Sequence, residues 1–289
     1  MSITNNTSIK RRHDEASEPR RERHVLVSRA TKHDRSQLFE SVSLAAGDRI
    51  SPEELDIHFT HMPARYWSRA NESTVARHLD IIHAFITGLQ SEHSDGTTPV
   101  VRWHNLPGRS LTEVEICTWD RLGLLAKVAG AFASVGLNIV RADIYTRADN
   151  IVLDVFHICD EAQQPVHDEV RLKKMAQLLE ASLKPNAADA PALQLPATRE
   201  TTAAPSVTFD LDHVEGYTPV LVEADDRVGL LHDIFTGLAE CEVNIVHAII
   251  TTEGGRTGDV FFLSDADDRK LEDPARLEQI RQRLLARLQ

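Results

Sequence analysis

Cysteine is scarce in this chain. There are three, Cys117, Cys159 and Cys241, in 289 residues, and none forms a CxxC pair. That excludes a disulfide framework and a cysteine-based zinc site, and it suits a reducing compartment. Each cysteine lies in or beside an apolar run, so all three are expected to be buried small side chains. Aromatic residues make up 5 % of the chain, too few for a platform on which bases stack. Positive charge is outnumbered, with 32 Lys and Arg against 44 Asp and Glu and a formal net charge of −12. Such a surface repels phosphate backbones and argues against nucleic acid as a partner. No run approaches the ~18 apolar residues of a membrane span. No apolar segment follows the N-terminal basic residues as it would in a secretory leader. The expectation is a cytoplasmic protein without membrane contact.

What the chain has is 42 % apolar residues, enough for real cores. Residues 1–35 stand apart, with Arg11, Arg12, Arg20, Arg21 and Arg23 and little that is apolar. They read as a disordered basic tail.

The most informative feature is an internal copy. Asp120-Arg121-Leu122-Gly123-Leu124-Leu125 recurs as Asp226-Arg227-Val228-Gly229-Leu230-Leu231. The same offset carries Asn138-Ile139-Val140 onto Asn244-Ile245-Val246, and Ala142, Ile144 and Thr146 onto Ala248, Ile250 and Thr252. After one deletion, Asp154-Val155-Phe156 matches Asp259-Val260-Phe261. Chance does not hold one register over so many positions. The units are read as residues 96–183 and 205–289. Between them lies a linker, 184–204, containing Pro185, Pro191 and Pro196.

Each unit has the same grammar. In the first, a short strand precedes the Leu106-Pro107-Gly108 turn. Glu113–Thr118 alternates Val114 and Ile116 with Glu113 and Glu115, the pattern of a half-buried strand. Asp120 then reads as the N-cap of a helix carrying Leu124, Leu125, Val128, Phe132 and Val135, which Gly136 ends. Two strands, Ile139–Thr146 and Ile151–Ile158, flank a polar turn, and a second amphipathic helix closes the unit. The order β-α-β-β-α is that of a ferredoxin-like half-sandwich lacking its last strand. Both units end on a helix, so the leading strand is expected to fill the empty edge. Val100–His104 should pair with Thr112–Cys117, and Val207–Leu211 with Pro219–Ala224. The fold class is α+β: two tandem ferredoxin-like domains, each with a leading edge strand, preceded by a small helical segment, 36–95. In that segment Ser51-Pro52-Glu53-Glu54 is a capping box, and Val75, Leu79, Ile82, Ile86 and Leu89 make the stripe of a second helix.

The pattern D-R-x-G-L-L, a helix, then N-I-V entering a strand resembles the ACT domain family, whose members are ferredoxin-like and commonly bind amino acids. From residue 51 onward the chain is similar to the C-terminal region of the bifunctional uridylyltransferase/uridylyl-removing enzymes. The supporting stretches are His58-Phe59-Thr60-His61-Met62-Pro63-Ala64-Arg65-Tyr66-Trp67 and Ala76-Arg77-His78. In those enzymes the tandem senses glutamine and sets which activity dominates. The resemblance implies a ligand site at Asp120, Gly123, Leu124, Asn138 and Ile139 in the first unit, and at Asp226, Gly229, Leu230, Asn244 and Ile245 in the second. The physical case agrees: a helix N-terminus offers unpaired N–H groups, glycine allows close approach, and an asparagine both donates and accepts. The Pro usual before the glycine in that family is Leu122 here and Val228 in the second copy.

No enzyme emerges. A uridylyltransferase of this class needs a Gly-Ser loop and paired metal-binding aspartates, and no Gly-Ser step occurs. His232-Asp233 has the look of a phosphohydrolase doublet but sits on the repeated helix, where the first copy has Ala126-Lys127. The pairs His58/His61 and His78/His83 are expected of a chain with 14 histidines. No metal or cofactor is assigned. Asp154 and Asp259 are expected on an exposed strand edge. Two readings follow from the resemblance. One is a regulatory, glutamine-sensing module whose units pair within the chain or in a homodimer. The other is a non-catalytic subunit docking on a separately encoded transferase or a PII-type protein.

Overall fold

The computed structural model describes residues 32–90, 96–106, 108–183, 203–211, 216–253 and 255–289. The basic tail up to residue 31, residues 184–202 of the linker, Pro107 and Gly254 lie outside them. A helical segment comes first: α1 (Lys32–Ala46), α2 (Pro52–His61) and α3 (Glu72–Leu89). The first repeat is β1 (Val100–Asn105), β2 (Thr112–Trp119), α4 (Leu124–Ser134), β3 (Asn138–Thr146), β4 (Ile151–Cys159) and α5 (Glu169–Ser182). The second is β5 (Ser206–Phe209), β6 (Thr218–Asp225), α6 (Leu230–Glu240), β7 (Asn244–Ile249), β8 (Thr252–Glu253), β9 (Arg256–Ser264) and α7 (Pro274–Leu288). None of these helices is long and apolar enough to cross a membrane.

Local chemistry explains the ends of the helices. Ser51 and Glu54 form the expected capping box at α2, with Pro52 in its first turn. Asn71, Asp168 and Asp273 cap α3, α5 and α7 with their side chains. The α4 helix closes in a Schellman motif: Leu137 N–H donates to Phe132 O, Gly136 N–H donates to Ala133 O, and Gly136 takes φ +70°. At the start of α4 the expectation fails. The N-cap is Gly123, in the left-handed region, and no side chain caps the helix. Asp120 sits too far upstream, since the chain first turns through Arg121 and Leu122.

The leading strands pair as expected. Val100↔Cys117 through Asn105↔Thr112 joins β1 to β2, and Ser206↔Glu223 through Phe209↔Val220 joins β5 to β6. The second ladder ends at Phe209 rather than Leu211. The two repeats do not form separate sheets. Strands β3 and β7 pair antiparallel, giving one sheet in the order β1-β2-β4-β3-β7-β9-β6-β5, with β8 attached to β9.

Helices α4 to α7 cover one face of this sheet, and a single apolar core runs beneath both repeats. The copies fill equivalent space differently. Phe132 stacks edge-on against Phe156 in the first, while in the second Phe235, one turn earlier on its helix, meets Phe261. The equivalent positions differ in size, with Phe235 where the first repeat has Ala129 and Leu238 where it has Phe132, so the aromatic ring enters the core from a different turn of the helix.

The other face of the first repeat carries the helical segment. Phe85, Trp67 and Tyr66 pack with Cys117, Tyr145, Leu153 and Val155 in a second core. This corrects the half-buried reading of β2: Glu113 and Glu115 are both buried, because α3 lies over them. All three cysteines are buried and free.

Candidate functional site

Strand register decides which predicted site residues meet. Strands β2 and β3 both flank β4, with Trp119 opposite Ile151 at one end and Asn138 opposite Cys159 at the other. At roughly 3.3 Å per residue, those ends are some 26 Å apart. The Asp120 loop therefore cannot reach Asn138 of its own repeat. Across the junction the pairing is Arg141↔Ile249, Ala142↔Ala248 and Asp143↔His247. This antiparallel crossing runs the Asn138 end of β3 alongside the loop that follows β6 in the other repeat.

A cleft of about 450 Å³ lies there. Asn138 and Ile139 form one wall, and Asp226, Gly229 and Leu230 form the opposite one. Five of the ten predicted residues thus come together, from different repeats. The remaining five, Asp120, Gly123, Leu124, Asn244 and Ile245, do not line this cleft. They are its counterparts at the opposite end of the pseudo-dyad.

The second-repeat wall is a helix N-terminus. Gly229 has φ +84°, which disfavours any side chain, and no side chain caps α6. Unpaired N–H groups and the positive end of the helix dipole are available there. Val228 also lines the cleft. The Asn138 side chain is exposed, donating to Asp160 O at 3.4 Å, as Asn244 donates to Asp265 O at 3.1 Å.

Among the unforeseen lining residues is Asp259. It is wholly buried, not on an exposed edge, and so is its first-repeat equivalent Asp154. The reason is the pleat: both project from a central strand under the helical layer, toward the loop aspartate of their own repeat. Asp259 Oδ1 accepts the Thr251 N–H at 3.1 Å, and Oδ2 has no partner in good geometry among the described residues. That bond replaces the ladder where β7 breaks before β8. Burial pushes the Asp259 carboxyl up to about 7; the Thr251 N–H opposes this and the Asp226 charge adds to it. Burial likewise raises Asp226. It raises Asp154 well above the usual range, with the Asp120 charge adding to it. The signal was in the sequence, as a carboxylate set twice within an apolar strand. A cleft that pairs a positive helix end with two carboxylates is complementary to a zwitterion.

The histidines singled out earlier do other work. His58 and His78 sit on either side of the Tyr66 hydroxyl, at 3.4 and 2.9 Å. His83 contacts Glu54 at 2.7 Å, and His61 its own helix. They do not converge on one point. His232 Nδ1 lies 2.7 Å from Ala126 O, across the junction between α4 and α6.

Comparison with known proteins places these observations. Residues 112–174 and 220–287 match the family model of the ACT domain. The chain is similar to the bifunctional uridylyltransferase/uridylyl-removing enzyme of Gluconobacter oxydans, 30 % identical over 231 residues, covering 77 % of this chain and 24 % of that protein. The enzyme of the same description in Rhodospirillum rubrum is 31 % identical over 261 residues, covering 88 % and 26 %. That of Caulobacter vibrioides is 36 % identical over 191 residues, covering 63 % and 20 %. The chain spans about a quarter of the length of these curated relatives.

Proposed function

Because the chain carries two ACT domains joined edge to edge in one sheet, we propose that it is a regulatory amino-acid sensor, with glutamine as its ligand, and not an enzyme. The observation that carries this reading is the cleft shared by Asn138 and the Asp226–Leu230 loop. The ligand carboxylate sits at the uncapped N-terminus of α6, where free N–H groups and the dipole favour an anion. Asp226 and Asp259 face the ammonium, and Asn138 reads the ligand from the other repeat. A ligand held between repeats stabilises one relative placement of them, which is how occupancy becomes a signal. The uridylyltransferase relatives support glutamine as the first candidate.

The similarity to those relatives also supports a second reading, in which the chain works as a cytoplasmic, non-catalytic regulatory partner of a transferase or a PII-type protein. The test of the first reading is a thermal-shift titration of the whole chain against the twenty amino acids. Ligand at 100 times its dissociation constant adds about 2.7 kcal/mol. A shift with glutamine supports the sensor. No shift with any amino acid removes it and leaves the docking role.

A further inference from the structure

A second group of polar side chains lies on the far face of the first repeat, remote from the cleft. His104, Glu113 and His157 form one row across β1, β2 and β4, since His104 is the register partner of Glu113 and Glu113 of His157. His104 Nε2 stands 3.3 Å from Glu113 Oε1, and His157 Nε2 stands 3.2 Å from Oε2. Glu115, two residues along the same face, joins them: donor atoms of His104, Glu113 and Glu115 all lie within 4.8 Å of one another. From above, α3 contributes Arg77, which contacts Glu113 at 2.8 Å and Glu115 at 3.3 Å, and His78. His78 is buried. Its Nδ1 is tied to the Tyr66 hydroxyl at 2.9 Å, while its Nε2 makes no hydrogen bond among the described residues and stands 3.5 Å from Glu115 Oε1.

Three features separate this group from an ordinary ion-pair cluster. Two buried carboxylates, Glu113 and Glu115, converge with His104 on one point and share the contact of a single guanidinium, that of Arg77. An imidazole nitrogen is left bare and aimed at a carboxylate, while its other nitrogen is fixed by Tyr66, the outer-shell arrangement of a metal-bound histidine. The ACT fold does not require the group either. The second repeat has Asp210, Pro219, Leu221 and Phe262 at the positions of His104, Glu113, Glu115 and His157.

We propose that His104, Glu113 and Glu115 form a binding site for a divalent transition metal ion of the zinc class. His78 Nε2, 3.5 Å from Glu115 Oε1, is a further donor, and His157 positions Glu113 through its second oxygen. One imidazole and two carboxylates, with room for a further donor or water, suit a borderline ion such as Zn²⁺. Ion entry is from the rim, where His104 and Arg77 are each over a third exposed. The ion would clamp α3 onto β1 and β2 and so fix the helical segment to the first ACT domain.

The experiment takes the whole chain, stripped with a chelator, and titrates it with Zn²⁺ against a chromophoric competitor, with Co²⁺ as a visible-absorbing probe. The expected result is one equivalent bound per chain with micromolar or tighter affinity. Glu113→Gln and His104→Ala should each weaken binding at least tenfold while far-UV circular dichroism is unchanged. His104 is partly exposed, so its variant decides the matter if Glu113→Gln does not fold. No stoichiometric binding to the wild-type chain, or binding unchanged in His104→Ala, overturns the proposal.

Discussion

Ala142 and Ala248 are equivalent residues of the two repeats, and they are also Cα partners across the β3–β7 ladder. The pseudo-dyad therefore passes between them. On either side, Asp143 meets His247 and Arg141 meets Ile249, pairs that the dyad exchanges by position but not by chemistry. Duplicated sequence has become an internal dimer whose two ends differ.

Asn138 lines the cleft and Asn244 does not. Losing one hydrogen bond to a ligand costs about 1 to 1.5 kcal/mol. Asn138→Ala should therefore weaken glutamine binding roughly tenfold by calorimetry, and Asn244→Ala should leave it unchanged. Equal losses in both would mean that the opposite end binds as well.

The glycines give an independent check. Gly123 and Gly229 both hold positive φ, at +77° and +84°. An alanine in that region costs about 1 kcal/mol, so Gly123→Ala and Gly229→Ala should lose similar stability in urea. Only Gly229→Ala should also lose the ligand-induced shift.

The junction has its own ion pairs. Asp143 receives Arg69 at 2.7 Å, Arg141 at 2.9 Å and His247 at 2.9 Å. Burial pushes its carboxyl up, but His247 and Arg69 outweigh this and hold it below the usual range. Its contribution is thus present above the unfolded value of about 3.9 and lost as pH falls through the lower folded value. Asp143→Ala strands the Arg69 and Arg141 guanidinium groups and should cost about 3 kcal/mol at pH 7. The deficit should shrink at acid pH in denaturant titrations.

Asp259 has the opposite sign. Its folded value near 7 lies above the unfolded one. Its contribution is most favourable below about pH 3.9 and falls as pH rises to 7, by on the order of 4 kcal/mol. Asp259→Asn should therefore match the wild-type chain at low pH and exceed it at pH 8 in the absence of ligand. A variant less stable at pH 8 would sink this account.

Much of the fold was legible because duplication repeats its own signals. The DRxGLL and NIV segments marked strand ends and helix starts twice over, and Gly136 and Ser51 act as their types suggest. The helix α1 was missed because Lys32–Ala46 carries only a thin apolar stripe, Leu38, Phe39 and Val42, within polar residues. The burial of Glu113 and Glu115 was hidden because their partners, Arg77 and His78, lie on a helix some 36 residues upstream. For the cleft, residue types were readable and their partnership was not. Which loop meets which asparagine depends on the β3–β7 register, and edge pairing leaves no mark in the chain beyond ordinary strand residues.

The contact of His232 with Ala126 carries a consequence for how such a molecule can arise and change. These are equivalent positions facing each other at the dyad. In an assembly of identical polypeptides, whatever residue occupies that place must face itself, histidine against histidine or alanine against alanine. Only fusion of two gene copies lets an unlike pair stand there and be inherited as one allele. Once that has happened, the halves are no longer interchangeable. Expressed apart, each would have to confront its own kind across the axis, and the heterotypic fit could return only by mixing them.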